Sequence, residues 1–126
     1  MLLFDKKPRF IDNNVDVILL NTSDGALPRR ERLERKDAYL ACGEWKGGID
    51  PTGADEHWKT ASSALERIRR KFRGSSPPAL FFVGAAIETA MAKEIFSQLQ
   101  RGRLTYAANF TVPEQVADLA AWLVAL

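Results

Sequence analysis

Two acids and a lysine stand where simple packing would not put them. Asp16 interrupts an otherwise apolar, β-branched run, Val15–Leu20 (VDVILL). A carboxylate inside a buried strand is costly unless it is paired or binds a cation. Downstream, Glu44-Trp45-Lys46 puts an acid and a base two residues apart in a second strand-like run, AYLACGEWK at 38–46. Side chains two apart share one face of a strand. Just beyond, a glycine-bearing stretch carries Asp50, Asp55, Glu56, His57 and Lys59. This inventory suits hydrolysis of a phosphodiester. Hard divalent cations take carboxylate oxygens and keep several waters. A metal lowers the pKa of bound water and offsets charge in the transition state. An ammonium at Lys46 could orient the attacking water, and a neutral imidazole at His57 could act as general base or phosphate contact.

The elements needed to position these groups can be read from periodicity. The runs at 15–20 and 38–46 read as strands. In the second, Tyr39, Ala41 and Gly43 should face one side, and Leu40, Cys42, Glu44 and Lys46 the other. Residues 21–28 form a turn-rich connection around Asp24-Gly25, and 29–36 are too charged for a core. Residues 47–53 (GGIDPTG) read as a loop, and a helix follows from Ala54. Its apolar stripe is Ala61, Leu65, Ile68 and Phe72. Residues 74–78 (GSSPP) stop it. ALFFV at 79–83 is a buried strand, and 85–100 is a helix with Ile87, Met91, Ile95 and Leu99 inward. Residues 103–110 form a further strand. Thr111 near the N-cap and Pro113 in the first turn open a last helix. The order strand, strand, helix, strand, helix, strand, helix implies an α/β fold, a mixed sheet with helices against it.

Composition narrows the class. The chain has 126 residues, 46% of them hydrophobic, enough for one globular domain and not two. No apolar run approaches the ~20 residues that span a bilayer. The start of the chain is ordered wrongly for a secretory signal, and Cys42 has no partner for a disulfide. A cytoplasmic, non-membrane protein is expected. Net charge is only +2, but its distribution is uneven. Arg29, Arg30, Arg32, Arg35 and Lys36 precede the central acids; Arg67, Arg69, Arg70, Lys71 and Arg73 follow them. Basic arms around an acidic centre suit a nuclease, although charge runs are more often merely solvated faces.

The string from Glu44 to Thr60, EWKGGIDPTGADEHWKT, resembles the catalytic segment of type II restriction endonucleases of the PD-(D/E)xK superfamily, most closely the AvaI/BsoBI group. The separations of 28 positions from Asp16 to Glu44 and 11 from Lys46 to His57 fit that resemblance. Val15 stands where the motif's name has proline, and Trp45 is a bulky middle residue. The resemblance implies a restriction-endonuclease-like three-layer core, a central mixed β-sheet flanked by helices. It implies a site-specific deoxyribonuclease of restriction-modification defence, cutting double-stranded DNA and acting as a homodimer. Mg²⁺ is the implied cofactor, with Mn²⁺ able to substitute. Asp16 and Glu44 are then the metal ligands, with Asp16, Glu44, Lys46 and His57 catalytic. Lys59, Arg67 and Arg70 are candidate DNA contacts. Members of that group are more than twice this length, so residues 1–126 are expected to be a single nuclease domain of minimal or truncated form.

Other readings stay open at this point. Glu44 and Lys46 could be a surface ion pair, worth little. Asp37, seven residues before Glu44, rivals Asp16 as the metal acid. Asp50, Asp55 and Glu56 are read as caps of the helix start, where carboxylates meet unpaired N–H groups. Trp58 is read as core or interface, and Cys42 as buried packing. The same fold could also serve as a structure-specific repair nuclease or a catalytically silent DNA-binding domain.

Overall fold

In a computed structural model, residues 1–22, 27–48, 51–85 and 87–126 are described. The turn read at Asp24-Gly25 and the cap read at Asp50 lie outside them. The chain runs β1 (Leu2–Lys6), β2 (Val15–Leu20), α1 (Arg29–Leu33), a 3₁₀ turn (Lys36–Ala38) and β3 (Tyr39–Lys46). It continues through α2 (Pro51–Lys71), β4 (Ala79–Gly84), α3 (Thr89–Gln100), β5 (Tyr106–Asn109) and α4 (Pro113–Ala125). The five strands form one sheet in sequence order. β1, β2 and β3 are antiparallel neighbours, whereas β3, β4 and β5 are parallel. Parallel neighbours need crossovers, which α2 and α3 supply.

The helices pack on both faces, giving the expected α/β architecture of three layers. Under α2 and α3, Trp58, Leu65, Ile68, Phe72, Met91 and Ile95 bury against Ile18, Cys42, Leu80 and Phe82. On the other face, Leu119 of α4 covers Phe81, Val83, Val17 and Ala41. The alternation read in β3 therefore holds from Ala41 onward. It fails at Tyr39, which joins the α2-side cluster with Cys42. The pairing of β2 with β3 slips between Leu19 and Leu20, and such a slip changes the face a side chain occupies. Gly43 is required where it stands: a Cβ there would lie 2.2 Å from the Phe81 ring on β4.

Several boundaries differ from the sequence reading. β1 reads LLFDK, too short to show a period, and owes its conformation to pairing with β2. The charged segment 29–36 is not wholly outside the core. Arg32 is buried in α1, with its guanidinium donating to the Leu27 carbonyl at 3.2 Å. α2 starts at Pro51 rather than Ala54, as proline suits a first helical turn. Asp55 and Glu56 therefore sit in the second turn and do not cap it, a correction to that reading. Asp55 instead pairs with Lys59 at 2.9 Å. α3 begins at Thr89, so Ile87 packs from the preceding turn. Gly102, at φ 72°, ends it in the left-handed conformation that glycine adopts freely.

Candidate active site

Val17 pairs with Gly43 across the β2–β3 ladder, which sets Asp16 directly opposite Glu44. Two hydrogen bonds lock the pair. The Asp16 N–H donates to Glu44 Oε2 at 3.3 Å, and the Trp45 N–H donates to Asp16 Oδ2 at 2.9 Å. Each carboxylate is thus held by the backbone of the other's strand. Glu44 is 3% exposed. Burial pushes its pKa up to about 8, and the adjacent Asp16 carboxyl adds to the rise; Lys46 opposes it. Two acids side by side, one out of water, keep a proton between them until the pH nears about 8. A divalent cation bound between them would take the place of that proton.

The strand ends keep this geometry. The Ala85 N–H donates to the Lys46 carbonyl at 3.1 Å, tying β3 to the end of β4. Trp45 points to the opposite face, where its half-exposed ring meets Phe110 with centroids 4.7 Å apart. A bulky middle residue is tolerated because it leaves the carboxylate face altogether. Gly47 and Gly48 follow Lys46. A Cβ on Gly48 would lie 2.5 Å from His57 Cε1, so glycine is what lets the His57 ring rest against this loop.

Asp16 and Glu44 thus meet near the carboxyl end of β3, Lys46 follows on the same strand face, and His57 rests against Gly48 in the loop beyond. Lys59 is two residues beyond His57, exposed and paired with Asp55. Arg67 and Arg70 lie farther along α2, ~15–20 Å from His57 at 1.5 Å per helical residue. Asp37 is in the 3₁₀ turn at the opposite end of β3, bound by Arg35 at 3.1 Å; the strand separates it from Glu44. Trp58 is fully buried, edge-on to Phe82 at 5.0 Å, which makes it core. Cys42 is buried among apolar side chains, as expected, and burial pushes its thiol pKa up.

Asp5 was not anticipated. It lies opposite Asp16 on β1 and lines a cavity of about 240 Å³ with Phe4, Asp16, Val17 and Trp45. Its φ is 51°, a costly region for a non-glycine residue. The short β1 run carried no period to reveal it. Among the described residues no group of three or more His, Cys, Asp or Glu side chains converges. A cation at Asp16 and Glu44 would therefore complete its shell from backbone carbonyls, water or substrate oxygen, as Mg²⁺ commonly does.

The profile of the family described as restriction endonuclease BsobI matches residues 2–126. The chain belongs to this family. It is 51% identical over 117 residues to the type II restriction enzyme AvaI of Nostoc sp., covering 92% of this chain and 37% of that protein. It is 47% identical over 125 residues to the type II restriction enzyme BsoBI of Geobacillus stearothermophilus, covering 98% of this chain and 38% of the relative. The chain spans little more than a third of the length of these curated relatives. The resemblance read from EWKGGIDPTGADEHWKT is thereby borne out at the level of family. No helix among the described residues is long and apolar enough to cross a membrane.

Proposed function

We propose that this chain carries the metal-dependent phosphodiesterase centre of a type II restriction endonuclease acting on double-stranded DNA. One observation carries the proposal: Asp16 and Glu44 are held face to face on adjacent strands, with Glu44 buried and Lys46 beside it. Membership of the BsobI family and the names of its relatives support the substrate and the reaction class. Mg²⁺ is the proposed cofactor, with Mn²⁺ as substitute, held by Asp16 and Glu44.

The bound metal would supply an activated water and an electrophile for the scissile phosphate. The protein's own groups do the rest. Asp16 and Glu44 are oriented by backbone N–H groups, so little rearrangement is needed when the substrate arrives. Lys46 places a positive charge on the same strand face as Glu44, where it can hold the attacking water or the phosphoryl oxygens. His57, resting on Gly48 at the start of α2, is placed to contact phosphate or take a proton. Cutting both strands of a palindromic site calls for a second copy related by two-fold symmetry, so a homodimer is part of this reading.

The test is incubation of the purified chain with supercoiled plasmid in Mg²⁺, in Mn²⁺ and in EDTA, beside Glu44→Gln and Lys46→Ala. Discrete, metal-dependent bands that both substitutions abolish are expected. Folded wild-type protein that binds the metal yet leaves the plasmid intact would overturn the nuclease reading and leave DNA binding without cleavage.

A further inference from the structure

We infer that the carboxyl-terminal half of α2 and the turn after α3 form a second, arginine-lined site for the phosphates of a DNA backbone, remote from the scissile bond. Two adjoining cavities, of about 420 and 470 Å³, share Arg69 and Arg103. The first adds Arg67 and Arg70, the second Arg101. Glu66 is the only acid among their described lining residues. It is already held by Arg69 at 3.2 Å and Arg70 at 3.9 Å. The lining therefore carries a clear excess of guanidinium groups over carboxylates.

The neutral lining groups are arranged to donate. Thr105 Oγ1 accepts from the Leu80 N–H at 3.2 Å, and Ser62 Oγ accepts from the Gln98 side chain at 3.1 Å. Each hydroxyl then retains its hydrogen for an incoming acceptor. Guanidinium groups match phosphate oxygens in geometry and carry their charge with little hydration. A single carboxylate would answer one of these arginines. Several together fit a ligand with repeated charge, and a nucleic-acid strand presents one phosphate about every 3.4 Å.

Position identifies the source. The exposed residues Lys59, Ser63, Arg67 and Arg70 recur at helical spacing along the outer face of α2. They form a polar stripe from the first turns, beside His57, to the arginine cavities. At 1.5 Å per residue this stripe covers ~15–20 Å, about five or six base pairs of duplex. A duplex seated at Asp16 and Glu44 and laid along α2 would bring a distal phosphate to Arg101 and Arg103. The inference rests on the nuclease reading in taking DNA as the polyanion.

The experiment measures binding of a labelled duplex to the full chain in EDTA across a series of salt concentrations. The wild type is compared with Arg101→Gln/Arg103→Gln, with thermal melting as the check on folding. Loss of two phosphate contacts should lower the slope of log affinity against log salt by about 2. A folded double variant with an unchanged slope would overturn the inference. So would a melting temperature raised by inorganic phosphate in the wild type alone with the DNA slope unaltered, which would mark a free-phosphate site. If the double substitution does not fold, the exposed Arg101→Gln alone should lower the slope by about 1; no change would again overturn it. Plasmid cleavage is read separately. Cleavage with no slope effect sinks only this inference, and a slope effect without cleavage sinks only the nuclease reading.

Discussion

At its amino end β3 contributes Tyr39 to a box of aromatic rings; at its carboxyl end it contributes Glu44 to a pair of acids. The first arrangement is self-satisfied. Phe10, Tyr39 and Phe72 meet edge to face with centroids 5.3–5.4 Å apart, and the Tyr39 hydroxyl donates to the Leu33 carbonyl at 2.6 Å. Burial raises the pKa of that hydroxyl, so it stays protonated and keeps donating. The second arrangement is unsatisfied. Glu44 is buried beside a second acid, Asp16, and the indole N–H of Trp58 on α2 has no hydrogen-bond partner among the described residues. One strand thus joins a region that contributes stability to one that spends it on holding acids together. Functional sites commonly carry such a cost.

The largest expected effect separates the two ends by the sign of their response. Glu44→Gln should cut plasmid cleavage by roughly 10³-fold or more, since losing the proposed metal ligand would remove several kcal/mol of transition-state stabilisation. Yet the metal-free variant should melt higher than the wild type. The glutamine amide can donate to Asp16, and its oxygen can still accept from the Asp16 N–H, with no charge to bury. A lower melting temperature for Glu44→Gln in EDTA would show that the acid pair is not a stability cost. Phe72→Ala should do the reverse. It removes a ring that is 1% exposed and should lose about 3–5 kcal/mol in denaturant unfolding. If cleavage by the fraction still folded also fell, the aromatic end would be coupled to the site and the contrast would weaken.

Most of this division was legible in the sequence, for identifiable reasons. Asp16 within VDVILL and Glu44 two residues before Lys46 announced themselves because period-two patterning exposes a misfit. The α2 stripe of Ala61, Leu65, Ile68 and Phe72 did so by its 3.6-residue period. Phe10, by contrast, joins Tyr39 and Phe72 through a contact distant in sequence, which no local pattern records. β1 was hidden because five residues cannot display a period and a two-faced environment shows only in the partner strand. Arg32 was read as surface from its charge, but its partner is a carbonyl five residues back, and a basic run does not advertise such a bond. Asp55 and Glu56 were misplaced because a helix can begin at a proline inside a glycine-rich stretch.

A third effect follows from the raised pKa of Glu44, about 8 against an ordinary value near 4.5. Between those values the folded chain binds a proton that the unfolded chain has released. Stability contributed by this group is therefore full below pH ~4.5 and falls as pH rises through about 8. From pH 5 to 7 the loss is on the order of 3 kcal/mol. Melting curves in EDTA should fall accordingly over that range, and Glu44→Gln should flatten the fall. A divalent cation that binds the folded state should raise the melting temperature most where Glu44 is ionised. An equal cation effect in Glu44→Gln would remove the acid pair as the binding site.

The smallest effect tests where the proposed catalytic end stops. Lys59 is an exposed member of an i,i+4 pair with Asp55, its nitrogen 2.9 Å from the carboxylate. A solvated pair of this kind adds little to stability, so Lys59→Ala should leave the melting temperature nearly unchanged. Its role in DNA binding is a separate matter. If a duplex lies along the outer face of α2, Asp55 must yield Lys59 to a phosphate, and the exchange costs little because the pair is solvated. Lys59→Ala should then lower the salt slope of DNA binding by about 1, at nearly constant stability. An unchanged slope would confine DNA contact at this end to the loop and His57. The polar stripe on α2 would then be a solvated face, and Lys59 would belong with the surface ion pairs rather than with the site.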